Sequence, residues 1–519
     1  LPEDGINLEF DLTVGFSSSQ GIYFGGSGGL EIALPVHLNL GPIDIESATI
    51  GIKPKNEGGD SVIPVEIGAT IKADLSVLKA VVENVGMKVN FKFPEGGNGN
   101  LGPLDLSLGF KPPAGVGLTV DAGVVKGGGY LYLDYDRGEY AGALELTFSE
   151  IVSLKAIGII TTRMPDGSKG FSLLVIITAE FGTGIQLGFG FVLLGVGGLL
   201  GLNRTMRLQP LAEGVRSGGV NGIMFPTNVV ENAPRIISDL KSYFPALEGR
   251  FLIGPMAKLG WGSPSLISVS LGIIIEIPGN IAILGIIKVA LPTESAPLLV
   301  LQVNFIGAIE FDKDRLWFFA SMYESRVLWI TIEGEMGLLI GWGNNPDFVC
   351  SVGGFHPMFN PPPLPFPSPK RLSFNILNES WGKIRVMGYF AVTSNTAQFG
   401  ASVELYFGFS VLSIEGILGF DALFQFSPFW FIIQISCSFS VKVFGFGLFS
   451  VRVKMSLEGP TPWRAKGTGS ISILFWDIDV DFDKTWGDQA NGAEQIAVRA
   501  RDAGMEVIYT GLRQSPETI

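Results

Sequence analysis

The stretch at residues 431–443, FIIQISCSFSVKV, alternates with a period of two. Ile433, Ile435, Cys437, Phe439, Val441 and Val443 fall on one side; Gln434, Ser436, Ser438, Ser440 and Lys442 fall on the other. Only the pleat of a strand sends successive side chains to opposite faces, so a chain made of such runs is committed to sheets. The same grammar begins early, where Leu8, Phe10, Leu12 and Val14 alternate with Glu9, Asp11 and Thr13. Three hairpins stand out, at 130–148, 155–181 and 306–323. Their turns fall at Asp136-Arg137-Gly138, Pro165-Asp166-Gly167 and Asp312-Lys313-Asp314. About 25 to 30 strand candidates follow one another with mostly short connections, which favours an antiparallel meander over βαβ units. The 70 glycines argue the same way, since each costs a helix interior about 1 kcal/mol.

Two windows, 181–203 and 422–441, reach membrane-spanning length without a charge. The first holds eight glycines and the second contains Pro428, so neither makes a comfortable helix. At period two the second resolves into a strand with one apolar face. Such a face packs on a core, lines a greasy cavity or touches lipid. Mean hydropathy is +0.38 with only 16% charged residues, against about a quarter in ordinary soluble domains. The net charge of -13, with Lys and Arg scattered singly, argues against a nucleic-acid partner, because phosphate backbones need clustered cations. Cys350 and Cys437 each sit in a strand-like run and read as small partly apolar residues, not as a disulfide framework. The chain begins Leu-Pro-Glu-Asp, and we expect it to be a processed piece of a longer polypeptide, with an extracellular or cell-surface setting slightly favoured.

Helical exceptions are few. Residues 232–244, NAPRIISDLKSYF, carry a capping Asn, an early Pro and an apolar stripe of Ile236, Ile237, Leu240 and Phe244. This helix is expected to plug or cover an opening of the sheet. Residues 493–502, AEQIAVRARD, are charged and helix-prone. A faint repeat pairs Trp261 with Trp342, each in Gly-Trp-Gly with a Pro close behind, and Trp381 with Trp463; a multi-strand unit of that period would suit an elongated sheet, propeller or barrel. The segment 359–370, FNPPPLPFPSPK, is an extended polyproline connection and the one plausible subdomain seam.

Candidate chemistry is sparse. His37 and His356 are the only histidines, which leaves little room for a Ser-His-Asp triad and none for a three-His or Cys2His2 zinc site. GVGGLLGLNR, at 195–204, is spaced G-x-G-x-x-x-G with no clear helix after it, and its glycines read as tight backbone turns, not a nucleotide loop. In FWDIDVDFDK, Asp477, Asp479, Asp481 and Asp483 alternate with Trp476, Ile478, Val480 and Phe482. A calcium site is the weaker reading; the solvated face of an edge strand, its like charges discouraging aggregation, is the better one. Paired carboxylates for glycoside hydrolysis need only proximity in the fold, but most phenylalanines here sit in apolar company.

From about 195 to 487 the motifs GVGGLLGLNRT, FPTNVVENAPRIISDLKSYFP, GRFLIGPMAKLGWGSP, AVTSNTAQFGA and GPTPWRAKGTGSISILFWDIDVDFDKTWG resemble the C-terminal region of a family of very large, β-rich microbial proteins of unknown function. The resemblance implies one elaborate β-fold within a longer, secreted or assembly-associated polypeptide. It supplies no catalytic residue.

The expectation is therefore an all-β protein, with long antiparallel meander sheets forming an elongated barrel, groove or multi-sheet sandwich and one or two accessory helices. A first β-rich part at 1–358, the Pro-rich connection at 359–370 and a continuation of the same fold at 371–487 precede a charged helical tail at 488–519. The leading function is non-enzymatic binding, carriage or conduction of lipids or other apolar ligands, with Ile433, Ile435, Phe439, Val441 and Val443 lining the site. One alternative is a structural or cargo component of a large secreted assembly with protein partners. The other is a membrane-associated or pore-forming β-protein, which calls for aromatic girdles and a polar lumen. No cofactor is expected.

Overall fold

Alternating runs that each offer one apolar face have to pair laterally to satisfy their backbones, and here they do so almost without interruption. The computed structural model describes residues 13–487 apart from 18–20, 26–29, 53–54, 58–59, 75–77, 95–97, 112, 122–124, 136, 150, 263–264, 294–295, 344–345 and 475. The alternation at 8–12 and the helix-prone tail at 493–502 lie outside the described residues. The protein is all-β. One antiparallel sheet runs from strand Leu30–Asn39 to strand Trp476–Trp486, and a separate hairpin joins Thr13–Ser17 to Gly21–Gly25. All three hairpins expected from the sequence form, the last with a short 3-10 turn at Phe311–Lys313 and Asp314 in the left-handed region. Both long apolar windows divide between strands: Lys169–Gly188 with Phe191–Arg204, and Leu412–Gln425 with Trp430–Val443. Among the described residues no helix is long and apolar enough to cross a membrane.

Two helices interrupt the meander between Phe191–Arg204 and Ala246–Trp261. Helix α1 is Leu208–Ser217 and α2 is Ala233–Tyr243. The Ile236, Ile237, Leu240 and Phe244 stripe of α2 is buried as the sequence predicts. Helix α1 carries Pro210 and Gly214, which hide it from propensity, yet Leu211, Ala212 and Val215 are fully buried at helical spacing. The insert reaches two distant parts of the sheet. Lys241 of α2 pairs with Glu139, and Arg216 of α1 pairs with Glu335. Their strands lie nine pairings apart, about 43 Å along a flat sheet at 4.8 Å per step. A ten-residue helix is only about 15 Å long. The sheet therefore curls around the insert, which fills its concave side.

Between Val352 and Leu372 the chain leaves the sheet and comes back in line. Val352 pairs with Met336, and after the excursion Ser373 pairs with Glu333 in the adjoining place. Three successive columns are each split in this way into two collinear pieces, so the pairings close a ring through eight strands. The Pro-rich excursion tucks onto the concave side, where Phe366 packs on Trp317 and Phe319 with ring centroids 5.8 and 6.0 Å apart. Strand Glu335–Gly341 yields to it at Gly337, where any Cβ would run into the Phe366 ring. Gly337→Leu should therefore overpack this contact, costing about 1–3 kcal/mol. An unchanged denaturation midpoint, with 353–371 equally protected from hydrogen exchange, would refute that packing role.

The 81-residue likeness does not mark a structural repeat. Successive hairpins alternate between the two ends of the sheet, and Trp261 closes a strand at one end while Trp342 follows a strand that closes at the other. Trp381 and Trp463 are opposed in the same way.

Candidate functional site

Direct cross-strand partners point to the same side of a sheet, so registers trace faces. One row starts at Leu146 and passes through Leu154, Ala179, Val196, Ala257, Leu271, Gly285 and Phe305. It continues through Ala320, Met336, Val352, Phe390, Phe399, Ala422, Ile433 and Leu457 to Ala465. No polar residue interrupts it. A neighbouring row from Leu131 through Gly142, Gly158, Val175, Leu200, Ile253, Ile275, Ile281, Ile309, Leu316 and Ile340 to Phe348 is equally free of polar groups. Many members face solvent: Ile253 is 47% exposed, Phe390 51% and Phe399 41%. This convex face is continuous and far larger than the few hundred Å² of apolar patch usual on a soluble monomer.

Ile433, Ile435, Phe439, Val441 and Val443 all belong to this face, in strand Trp430–Val443. Ile435 and Phe439 are exposed and the other three partly so. Phe399, Phe424 and Phe431 extend the same surface as a run of stacked rings. Both cysteines lie on it as free thiols, Cys350 between Leu338 and Val392 and Cys437 between Leu418 and Val453.

The opposite face is polar wherever the insert leaves it free; where the insert docks it is an apolar core of Leu174, Ile176, Leu252, Ile274, Ile306 and Trp317, bordered by charged groups. Lys155 is buried and donates to Glu180 at 2.6 Å, and Lys258 joins the same carboxylate. Glu145 lies 3.9 Å from Lys155 and accepts the Val229 backbone N–H at 2.8 Å. Lys241 sits 4.7 Å over the Tyr132 ring as well as on Glu139. Glu335 takes a bidentate grip on Arg216, 2.7 Å on each oxygen, and also accepts the Lys370 N–H at 2.8 Å. It thereby ties α1 and the Pro-rich segment to one strand. Glu310 gathers Arg315 at 2.6 Å and the Trp317 indole at 2.9 Å. The cavities on this side are lined by charged groups, among them Lys288, Glu324 and Arg326 in one and Arg235 and Asp239 in another.

His356 is buried in the Pro-rich segment. Its Nδ1 accepts the Met358 N–H at 3.1 Å, its backbone N–H donates to the Gln398 side-chain oxygen, and burial lowers its basicity, all of which suit a structural role. His37 is exposed on strand Leu30–Asn39. Gly195, Gly197 and Gly201 lie within a strand. Asp477, Asp479, Asp481 and Asp483 occupy the polar face of strand Trp476–Trp486, opposite Ser472, Ser470, Thr468 and Lys466, and Asp483 pairs with Arg464 at 2.6 Å. Among the described residues no three His, Cys, Asp or Glu side chains gather as a metal site.

The two ends of the sheet are marked by tryptophan. Of nine, only Trp317 is buried in the core. Trp261, Trp329, Trp381 and Trp476 lie at strand ends or turns on one side, and Trp342, Trp430, Trp463 and Trp486 on the other. Three exposed turn phenylalanines also sit at the first end: Phe189 is 98% exposed, Phe444 73% and Phe446 80%. At the second end the turn residues are mostly polar, as in Asp134 to Gly138, Asp166 to Ser168 and Asp312 to Asp314.

These features define a class: an all-β protein with an apolar convex face and a concave face filled by an inserted plug. The chain belongs to the family of unknown function DUF6603, whose model matches residues 36–516. That match takes in the strands before 195 as well. It gives no ground for treating 195–487 as the C-terminal region of a very large protein. No curated protein matches. A solved structure that is similar is the P pilus usher (PapC) translocation pore, at 7% identity and a TM-score of 0.25, over 84% of this chain and 94% of that one. That score is too low to equate the two folds.

Proposed function

We propose that this is a non-enzymatic membrane β-protein whose convex face meets lipid acyl chains while the insert plugs the concave face. The observation that carries the reading is the pair of apolar rows that cross the curled sheet without a polar residue. In water such a face is costly; in hydrocarbon it is the required one, because apolar-out and polar-in alternation is how strands live in a bilayer. Strand lengths support it. Ile267–Ile277, Ile281–Leu291 and Trp463–Ile473 have 11 residues each, matching the 9–11 or so that a tilted strand needs to cross. Tryptophans at both ends suit the interfacial girdles of such proteins.

The test uses the native thiol. With Cys350 replaced by serine, an environment-sensitive fluorophore on Cys437 should shift to the blue when phosphatidylcholine vesicles are added, and chain-borne quenchers should dim it. A label that stays in water beside vesicles, on a protein that remains monomeric without detergent, would end the proposal. Burial of the same face against protein partners is a second reading, supported by strand Trp476–Trp486, which pairs on one side only among the described residues. It predicts a label shielded in a detergent-free multimer with no lipid present. Carriage of lipid along this face predicts instead stoichiometric lipid that co-purifies and is released on denaturation.

A further inference from the structure

At the polar end, beneath the 163–169 turn, lies a cavity of about 380 Å³ lined by Arg137, Arg163, Arg204 and Lys241, with Glu139 and Thr161 between them. Four cations and one carboxylate line it; the carboxylate is engaged by Lys241, and Arg163 has a further partner of its own. Arg137 sits 3.8 Å from Asp134 at the rim. Arg204 is the anomaly. It is 2% exposed, yet no carboxylate lies within ion-pair distance of it among the described residues. Its Nη1 donates to the Phe244 carbonyl at 3.0 Å and its Nη2 to Thr161 Oγ1 at 2.8 Å, while its Nε is buried with no partner. Both acceptors are neutral. Glu139 is the one carboxylate whose charge reaches Arg204, and it is already shared with Lys241; a guanidinium withdrawn from water with no direct ionic partner is disfavoured unless an anion completes it. The planar fork of arginine matches the paired oxygens of a phosphate or a carboxylate, and the several cations of this cavity favour the more highly charged phosphate.

We propose that this cavity binds a phosphate group, with Arg204 as the buried anchor and Arg137, Arg163 and Lys241 closing around it. The group belongs either to a soluble phosphoester or to the headgroup of an anionic lipid, and both are compatible with a site at the polar end. Glu139 orients Lys241 and sets a limit, since it repels an anion that penetrates too far. The site does not depend on the lipid-facing sheet, so a protein that ignores vesicles can still bind inorganic phosphate.

The experiment is calorimetric titration of the full chain with inorganic phosphate, beside flotation with vesicles of phosphatidylcholine alone or doped with phosphatidic acid. Saturable phosphate binding is expected, with a rise in Tm at constant ionic strength. The double variant R137Q/R163Q, whose side chains lie at the rim, should bind about tenfold or more weakly with an unchanged circular dichroism spectrum. R204M should abolish the phosphate-dependent rise in Tm, and if it does not fold the rim variant still decides. Preference for phosphatidic acid that the rim variant loses identifies a headgroup; phosphate binding without that preference identifies a soluble phosphoester. Absence of binding to both, or binding by the rim variant equal to that of the parent, overturns the proposal.

Discussion

Replacing Ile273 and Phe399 together by arginine should abolish bilayer association while leaving the fold in detergent intact. Both side chains are on the convex apolar face, 38% and 41% exposed, and neither contacts the plug. On a water-facing surface such changes are worth only about ±0.5 kcal/mol each. At the hydrocarbon midplane each arginine costs about 2–4 kcal/mol on a barrel's lipid face. Two of them amount to a fall in vesicle partition of roughly a thousandfold or more, at about 1.4 kcal/mol per decade. Flotation against phosphatidylcholine vesicles measures it. Partition equal to that of the parent would remove the lipid-facing role from this surface, and a gain in detergent-free solubility would be the expected companion.

The second large effect lies on the other face. Glu335→Ala should cost about 3–5 kcal/mol, because it strands Arg216 beneath the sheet with its partner gone. Glu335 is buried, holds both arms of the Arg216 guanidinium, and accepts the Lys370 N–H. Its loss should free residues 353–371 and α1 together, seen as faster hydrogen exchange in both segments. Replacing both partners, E335M with R216M, should recover most of the stability, since no charge is then left unpaired. A single variant as stable as the parent would show that solvent already screens the pair.

Strand existence was legible because period two is written in each run on its own. FIIQISCSFSVKV and FWDIDVDFDK each declare two faces without reference to any other part of the chain. The stripe of α2 was legible for the same reason, at period 3.6. Helix α1 was not: Pro210 and Gly214 oppose it locally, and it forms because Leu211, Ala212 and Val215 find a core to fill. The pairs that dock the plug had no signal at all. Glu139 and Lys241 stand 102 residues apart, Arg216 and Glu335 119, and no spacing rule reaches so far. The Pro-rich segment looked like a seam because polyproline leaves a sheet, but only the register on either side of it reveals that the chain returns to the same column.

The sequence by itself determined that the protein is a sheet whose outer strands carry one apolar and one polar face, since alternation within a strand needs nothing beyond the pleat; central runs such as SLLVIITAEF are apolar on both faces. Which face turns outward is symmetric in that pattern. Tertiary structure alone decided it: the insert at 205–245 and the excursion at 353–371 bring apolar stripes and charge partners to one side, where they bury Leu252, Ile274, Ile306 and Trp317 of the sheet. The sheet then curls toward them, leaving Ile433, Ile435 and the rest of the apolar rows on the convex surface.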